Sequence, residues 1–144
     1  MPIDIRKFLP HREPMLMVDE ISHLTVDEII TSLKINTDNI FIENGFFNET
    51  GIIENAAQTS SGIIGGTYFD LNEGDETYKI HGYISKIKRV DIFSLPKVNS
   101  SIETRSKLIS SYPGEGFLNC DMVSETFCDE KKIAASSLNL IIYV

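Results

Sequence analysis

Glu54 and Gln58 stand four residues apart in the segment GIIENAAQTS. On an α-helix that spacing puts a carboxylate and an amide side by side on one face. A carboxylate held in register by an amide is suited to moving protons as a general acid or base. The competing reading is a solvated helix face, because both residues lie opposite an apolar stripe. At about 100° per residue, Ile52, Ile53, Ala56, Ala57, Ile63 and Ile64 share an arc of about 140°, with Glu54, Gln58, Ser61 and Gly65 across from it. The three histidines divide differently. His11, in LPHR, reads as a residue that fixes the N-terminal segment by hydrogen bonding. His23 and His81 fall in strand-like runs and read as structural or surface groups. No pair of His, Cys or carboxylates has metal-ligand spacing, so no metal and no cofactor is expected. There is no Gly-rich phosphate loop after a strand, no GxSxG and no Cys/His dyad.

These groups need elements to hold them. The helix is expected from Thr50 to about Tyr68, with Gly51 near its start; since glycine costs about 1 kcal/mol in a helix interior, Gly62, Gly65 and Gly66 suggest close packing, with an end of the helix at Gly65 and Gly66 the other reading. Before it, DIRKFLP forms a short amphipathic opening ended by Pro10. MLMVDEISHL and EIITSLKIN then read as two strands of a hairpin turning through Thr25 to Asp27, the second alternating Ile29, Thr31, Leu33 and Ile35 against Glu28, Ser32 and Lys34. After the helix, the run 77–93 keeps Ile80, Gly82 and Ile84 in one phase and shifts to Ile87, which predicts a bulge near Ser85 and Lys86. SIETRSKLISS sets Ile102 and Leu108 against Glu103, Arg105 and Lys107. GFLNCDMVSETF and KKIAASSLNLIIYV follow, with turns at Ser111 to Gly116 and Asp129 to Lys132. Two strands, a helix and three or four long strands make an α+β fold, an antiparallel sheet packed on one helix.

Composition sets the outer bounds. The chain has 144 residues, 42% of them hydrophobic and 24% charged, enough for one domain over 1–144 that needs neither disulfides nor a structural metal. If the strand carrying Cys120 and Cys128 is continuous, they stand about 26 Å apart, which excludes a bridge between them. With 21 acidic against 13 basic residues and a net charge of -8, neither nucleic acid nor an anionic membrane is expected as a partner. The charged N-terminus does not read as a signal peptide, and no run approaches the roughly 18 apolar residues of a membrane span. The cytoplasm is the expected location.

The opening FLPHREPMLMVDEI resembles the N-terminal signature of FabZ-type 3-hydroxyacyl-acyl-carrier-protein dehydratases. GIIENAAQT is similar to the start of their central helix, and KIKRVDIFSLPKVNSSIE occupies the place of their strand and Pro-containing turn. The resemblance implies a hotdog fold, in which an antiparallel sheet of about five or six strands wraps one central helix and two subunits pair to build sites at their interface. It implies that Glu54 is the catalytic carboxylate, that the Gly51 N–H polarises the thioester carbonyl, and that Gln58 is the helix glutamine beside the site. Phe46 and Phe47, just before the helix, are candidates to line an acyl tunnel, with core packing the other reading. Lys86, Lys88 and Arg89, with Lys7 and Arg12 as further candidates, offer a local basic patch for an acidic acyl carrier protein, an ordinary solvated face being the other reading.

The sequence departs from that family in one respect. The catalytic histidine belongs to a GHFP segment ahead of the helix; here the stretch is IENGFFNETG, with no histidine, and Asn44 or a neighbour stands in its place. In this the chain resembles dehydratase-like members of aryl-polyene and pigment pathways, some of which act beside a second dehydratase-like subunit. The implied function is dehydration of a 3-hydroxyacyl thioester in fatty-acid or polyene-type biosynthesis by a homodimer or heterodimer. A non-catalytic partner subunit and a hotdog thioesterase, with Glu54 activating water, remain open alternatives.

Overall fold

The computed structural model describes residues 2–75, 77 and 79–144; Tyr78, within the run expected to open the first strand after the helix, lies outside them. The described residues form a seven-stranded antiparallel sheet in the order β1-β2-β3-β7-β8-β9-β6, one long helix, and a separate two-stranded hairpin. The strands of the main sheet are β1 (Ile3–Asp4), β2 (Glu20–Leu24), β3 (Glu28–Lys34), β6 (His81–Ile92), β7 (Ser101–Pro113), β8 (Phe117–Cys128) and β9 (Lys131–Tyr143). The hairpin pairs β4 (Ile42–Glu43) with β5 (Phe46–Phe47). The sheet therefore has seven strands, where five or six were expected. The extra one, β1, has only two residues, too few to show a period, and pairs with β2 as the chain enters a 3-10 turn at Ile5–Lys7.

The β2–β3 hairpin forms as the pattern predicts, with the Thr25 N–H donating to the Glu28 carbonyl and Ile29, Thr31, Leu33 and Ile35 buried. The first strand-like run is shorter than expected, however. Residues 15–18 stay outside the ladder, and both main-chain groups of Met17 bond to side chains of the helix instead. The β6 bulge lies between Ile84 and Lys86, where the phase shift placed it, and a second one follows between Ile87 and Arg89. Cys120 and Cys128 both belong to β8 and are both free.

Helix α1 runs Glu49–Leu71, and its ends are chemically defined. At the start, the Asn48 side chain accepts from the Gly51 N–H at 3.0 Å, a capping bond for one of the four free donors of the first turn. At the end, the Gly74 N–H bonds to the Phe69 carbonyl and the Glu73 N–H to that of Asp70, with Glu73 at φ 57°, which together form a Schellman closure. Every residue from Asn55 to Gly66 is buried, on all sides of the helix. The curled sheet covers one side, and residues 5–18 lie over the side that the periodicity had left to solvent. Ile53, assigned to the core stripe, is only half-buried.

Small and polar residues make this tight wrapping work. A Cβ on Gly65 would come within 2.6 Å of the Phe8 Cβ, so the N-terminal segment packs directly on the helix backbone there. Between helix and sheet lies a layer of paired hydroxyls and amides. Thr31 bonds Thr59 at 2.8 Å, Thr104 donates to the Asn55 Oδ1 at 2.6 Å, and Ser124 bonds both Ser106 and Ser60. Each group in this layer thereby keeps a partner, which avoids a penalty of about 1–3 kcal/mol per orphan. Gly65→Ala brings two effects into opposition: about 1 kcal/mol of helix propensity gained and about 1–3 kcal/mol of overpacking lost. A lower thermal midpoint is the expected outcome by calorimetry, whereas a rise would show that Phe8 does not press on the helix.

Candidate active site

Glu54 and Gln58 do share one face of α1, and that face looks onto a cavity of about 340 Å³. His11 and Met15 of the N-terminal segment form one wall, and Gly82, Tyr83 and Ile84 of β6 form another. The close approach of helix and β6 depends on Gly82, because a Cβ there would sit 2.9 Å from the Ser61 Oγ. Glu54 is half-buried at the cavity wall, so the reading of a solvated helix face does not hold.

Gln58 is almost fully buried and uses its whole amide. Its Oε1 accepts from the Met17 N–H at 2.7 Å; its Nε2 donates to the Met15 carbonyl at 2.8 Å and to Glu54 Oε1 at 3.2 Å. One turn earlier, the Asn55 Nδ2 donates to the Met17 carbonyl at 2.7 Å. Two helix amides thus replace a neighbouring strand for residues 15–17. They fix the carboxylate and the segment carrying His11 in one frame.

His11 does not play the part expected of it. Arg12 ties the segment locally, its Nη1 donating to the carbonyls of Leu9 and His11. The His11 Nδ1 is buried with no hydrogen-bond partner. Burial lowers its proton affinity below the ordinary histidine value, the Glu54 carboxylate works the other way, and His81 and Arg12 lower it further. The signal available in the sequence was the LPHR motif itself; what it lacked was the fold that brings position 11 over position 54.

The remaining expected site residues lie elsewhere. Gly51 packs beneath Phe47, whose ring would be 2.5 Å from an added Cβ, and its N–H is engaged by Asn48. Phe47 is fully buried in the cluster with Met17, Leu33, Ile35 and Ile52, and Phe46 pairs with Glu43 in the small hairpin. Neither phenylalanine borders the Glu54 cavity, because the tight turn at Asn44 and Gly45, with φ of 54° and 82°, directs β5 into the core. Asn44 is exposed in that turn and contributes nothing to the cavity.

Lys86, Lys88 and Arg89 are exposed on β6, but two of them are paired. Lys88 Nζ lies 2.6 Å from Asp121 Oδ1, and with Asn139 it holds that carboxyl down to about 2. Arg89 meets Asp91 at 2.8 Å. Pairing of this kind weakens the positive field of the patch. The thiol of Cys120, buried beside Asp121, is pushed up to about 11, which keeps it protonated and unreactive. Among the described residues no cluster of His, Cys, Asp or Glu is arranged to hold a metal ion. No helix among them is long and apolar enough to cross a membrane.

The chain has counterparts among known proteins. The family model described as ApeP-like, ApeP dehydratase, matches residues 3–76, just over half of the chain and including the segment and the helix that frame the cavity. A curated relative, the 3-hydroxyacyl-[acyl-carrier-protein] dehydratase FabZ of Rhizorhabdus wittichii, is 45% identical over 49 residues, 32% of this chain and 31% of the relative's length. The match thus spans about a third of that protein. Among solved structures, the dehydratase heterocomplex ApeI:P from Xenorhabdus doucetiae superposes with a TM-score of 0.72 at 17% identity, covering 96% of this chain and 90% of that one. A hypothetical thioesterase from Streptococcus pneumoniae, solved with coenzyme A, gives 0.61 at 10% identity over 85% and 84%. Together they identify the fold as the hotdog.

Gln58→Ala would leave the buried Met17 N–H and the Met15 carbonyl without their side-chain partner. The expected cost is about 1–3 kcal/mol of unfolding free energy, measured by denaturant titration. Unchanged stability would mean that residues 15–17 are held by something other than this amide.

Proposed function

Because the chain belongs to the ApeP-like dehydratase family, we propose that it eliminates water from a 3-hydroxyacyl thioester carried on an acyl carrier protein, in fatty-acid or polyene-type biosynthesis, with Glu54 moving protons. The observation that carries this reading is a half-buried carboxylate fixed by a buried amide at the wall of a cavity. Elimination requires removal of a proton from the carbon beside the thioester carbonyl and protonation of the leaving hydroxyl. Each such transfer contributes about 10²–10⁴ in rate when a side chain is positioned for it. Gln58 keeps the Glu54 carboxyl turned to the cavity. Gly51 is given no part in the chemistry, since its N–H belongs to the helix cap.

The reading includes a second hotdog subunit, either another copy or a related chain as in the ApeI:P heterocomplex. Strand β6 supports it. It has 12 residues, pairs among the described residues with β9 alone, and leaves its other edge open among them, with Tyr83 61% and Ile87 49% exposed. A long open edge of this kind is a template for another strand. Tyr83 also borders the Glu54 cavity, so a subunit paired along β6 would cover its mouth. Lys86, Lys88 and Arg89 on the same strand are the proposed contacts for the carrier protein, with Lys88 and Arg89 moderated by their acidic partners.

The test is to incubate the protein, alone and mixed with a related hotdog subunit, with a 3-hydroxyacyl thioester on a carrier protein and to follow product mass. Loss of one water is expected, and Glu54→Gln should slow it by about 10²-fold or more. Release of free acid would transfer the assignment to thioester hydrolysis. No conversion in either mixture would leave the chain a non-catalytic subunit.

A further inference from the structure

Elimination needs two proton movers, and the family's GHFP histidine is absent from this chain. We propose that His11 is the second catalytic group of the Glu54 cavity, its imidazole taking the proton from the carbon beside the thioester carbonyl while the Glu54 carboxyl protonates the departing 3-hydroxyl. This rests on the dehydratase reading above and names the residue that reading leaves unassigned.

Three features of the structure converge on His11. First, it lines the same cavity as Glu54, from the N-terminal segment rather than from the helix. Second, its segment is immobilised: Phe8 and Leu9 are buried on one side of it, and Gln58 holds the main chain at Met15 and Met17 on the other. Third, its ring serves no structural bond through Nδ1, which is buried without a partner. Among the described residues only His11 Nδ1 and Ser136 Oγ are buried in this way, and of the two only the His11 ring lines the Glu54 cavity; an unpaired buried polar atom calls for an explanation, and a catalytic role supplies one. The other two histidines lack these features. His23 is exposed on β2 near Glu28, and His81 is exposed at the start of β6.

The charges facing His11 set its resting state. Burial, His81 of β6 and Arg12 of its own segment favour the neutral ring, and Glu54 of α1 opposes them. The net direction is toward neutral imidazole, the form that accepts a proton at neutral pH. Gln58 donates to Oε1 of Glu54, leaving Oε2 to carry the proton that is delivered. The step balances within the pair. The C–H bond beside the carbonyl breaks, its electron pair becomes the new carbon–carbon double bond, and its proton goes to His11. The C–O bond at the neighbouring carbon breaks with its pair on oxygen, which takes the Glu54 proton and departs as water. Proton return from imidazolium to carboxylate restores both groups, with no oxidant or reductant involved.

The experiment compares wild type, His11→Gln and Glu54→Gln on a carrier-bound 3-hydroxyacyl thioester across pH, together with an NMR titration of the His11 ring. A base works when unprotonated, so wild-type kcat/KM should fall as pH drops through a value below 6.5, the ordinary histidine figure from which His11 is lowered. His11→Gln should cut kcat by about 10²-fold or more and abolish that acid limb, with KM little changed. In Glu54→Gln the ring should titrate lower still, because the carboxylate that favoured its protonation is gone. Should His11→Gln fail to fold, the titration decides: a ring unmoved by Glu54→Gln overturns the pairing. Undiminished turnover, or an acid limb that persists in His11→Gln, overturns the role of His11 alone. No water loss by wild type, with or without a related subunit, overturns the dehydratase reading and this assignment with it.

Discussion

The side-chain amide of Gln58 is the constraint on which the site depends. It is buried in α1 and reaches the main chain of residues 15–17 in both directions, so it does for this segment what a neighbouring strand does elsewhere. Without such a partner the Met17 N–H would be an orphan in the core, and a polar backbone group there must find a bond. The same amide touches Glu54. One side chain therefore couples the path of the N-terminal segment to the orientation of the carboxylate, and everything placed on that segment, His11 included, inherits its position.

The rest of the fold is arranged so that this coupling is rigid. Gly65 lets Phe8 lie on the helix backbone, Gly82 lets β6 approach Ser61, and the hydroxyl pairs beneath the helix fix its height above the sheet. None of these contacts is large. Together they bury the helix on every side and leave the Glu54 cavity, between α1, β6 and the N-terminal segment, as the opening beside its carboxylate. A preorganised pair of groups in a half-closed cavity is worth more to catalysis than the same groups on a mobile surface, because no reorganisation is needed when the charge moves.

Much of this was legible from residue order. The period-2 phases of β3, β7 and β8, the β6 bulge, and the i,i+4 relation of Glu54 and Gln58 all follow from side-chain alternation and helix pitch. What could not be read lies in contacts between distant segments. The helical wheel gave α1 a wet side because it counts only the helix's own residues, and cannot know that residues 5–18 return across it. Thr104, Ser106, Ser124 and Thr126 share a phase with buried aliphatics, yet nothing local shows that their hydroxyls pair across the sheet and with the helix. From its place in the sequence Phe47 fits a tunnel or the core alike, and it is the turn at Asn44 and Gly45 that sends it to the core. The LPHR motif suggests His11 as the hydrogen-bonding anchor of its segment, but Arg12 makes those bonds and the His11 Nδ1 has none.

Besides the Glu54 cavity, the proposed acyl thioester has a second candidate seat, a larger groove of about 670 Å³ lined by residues of β2, β3 and β6–β9, among them Arg105, Lys107 and Glu125. A crystal structure of the Glu54→Gln variant with a 3-hydroxyacyl-pantetheine thioester would decide between them. The thioester is expected between α1, β6 and the N-terminal segment, with its 3-hydroxyl within hydrogen-bond reach of residue 54 and the adjoining carbon facing His11. A thioester seated instead against Arg105 and Lys107, with the Glu54 cavity vacant, would contradict the placement of the chemistry.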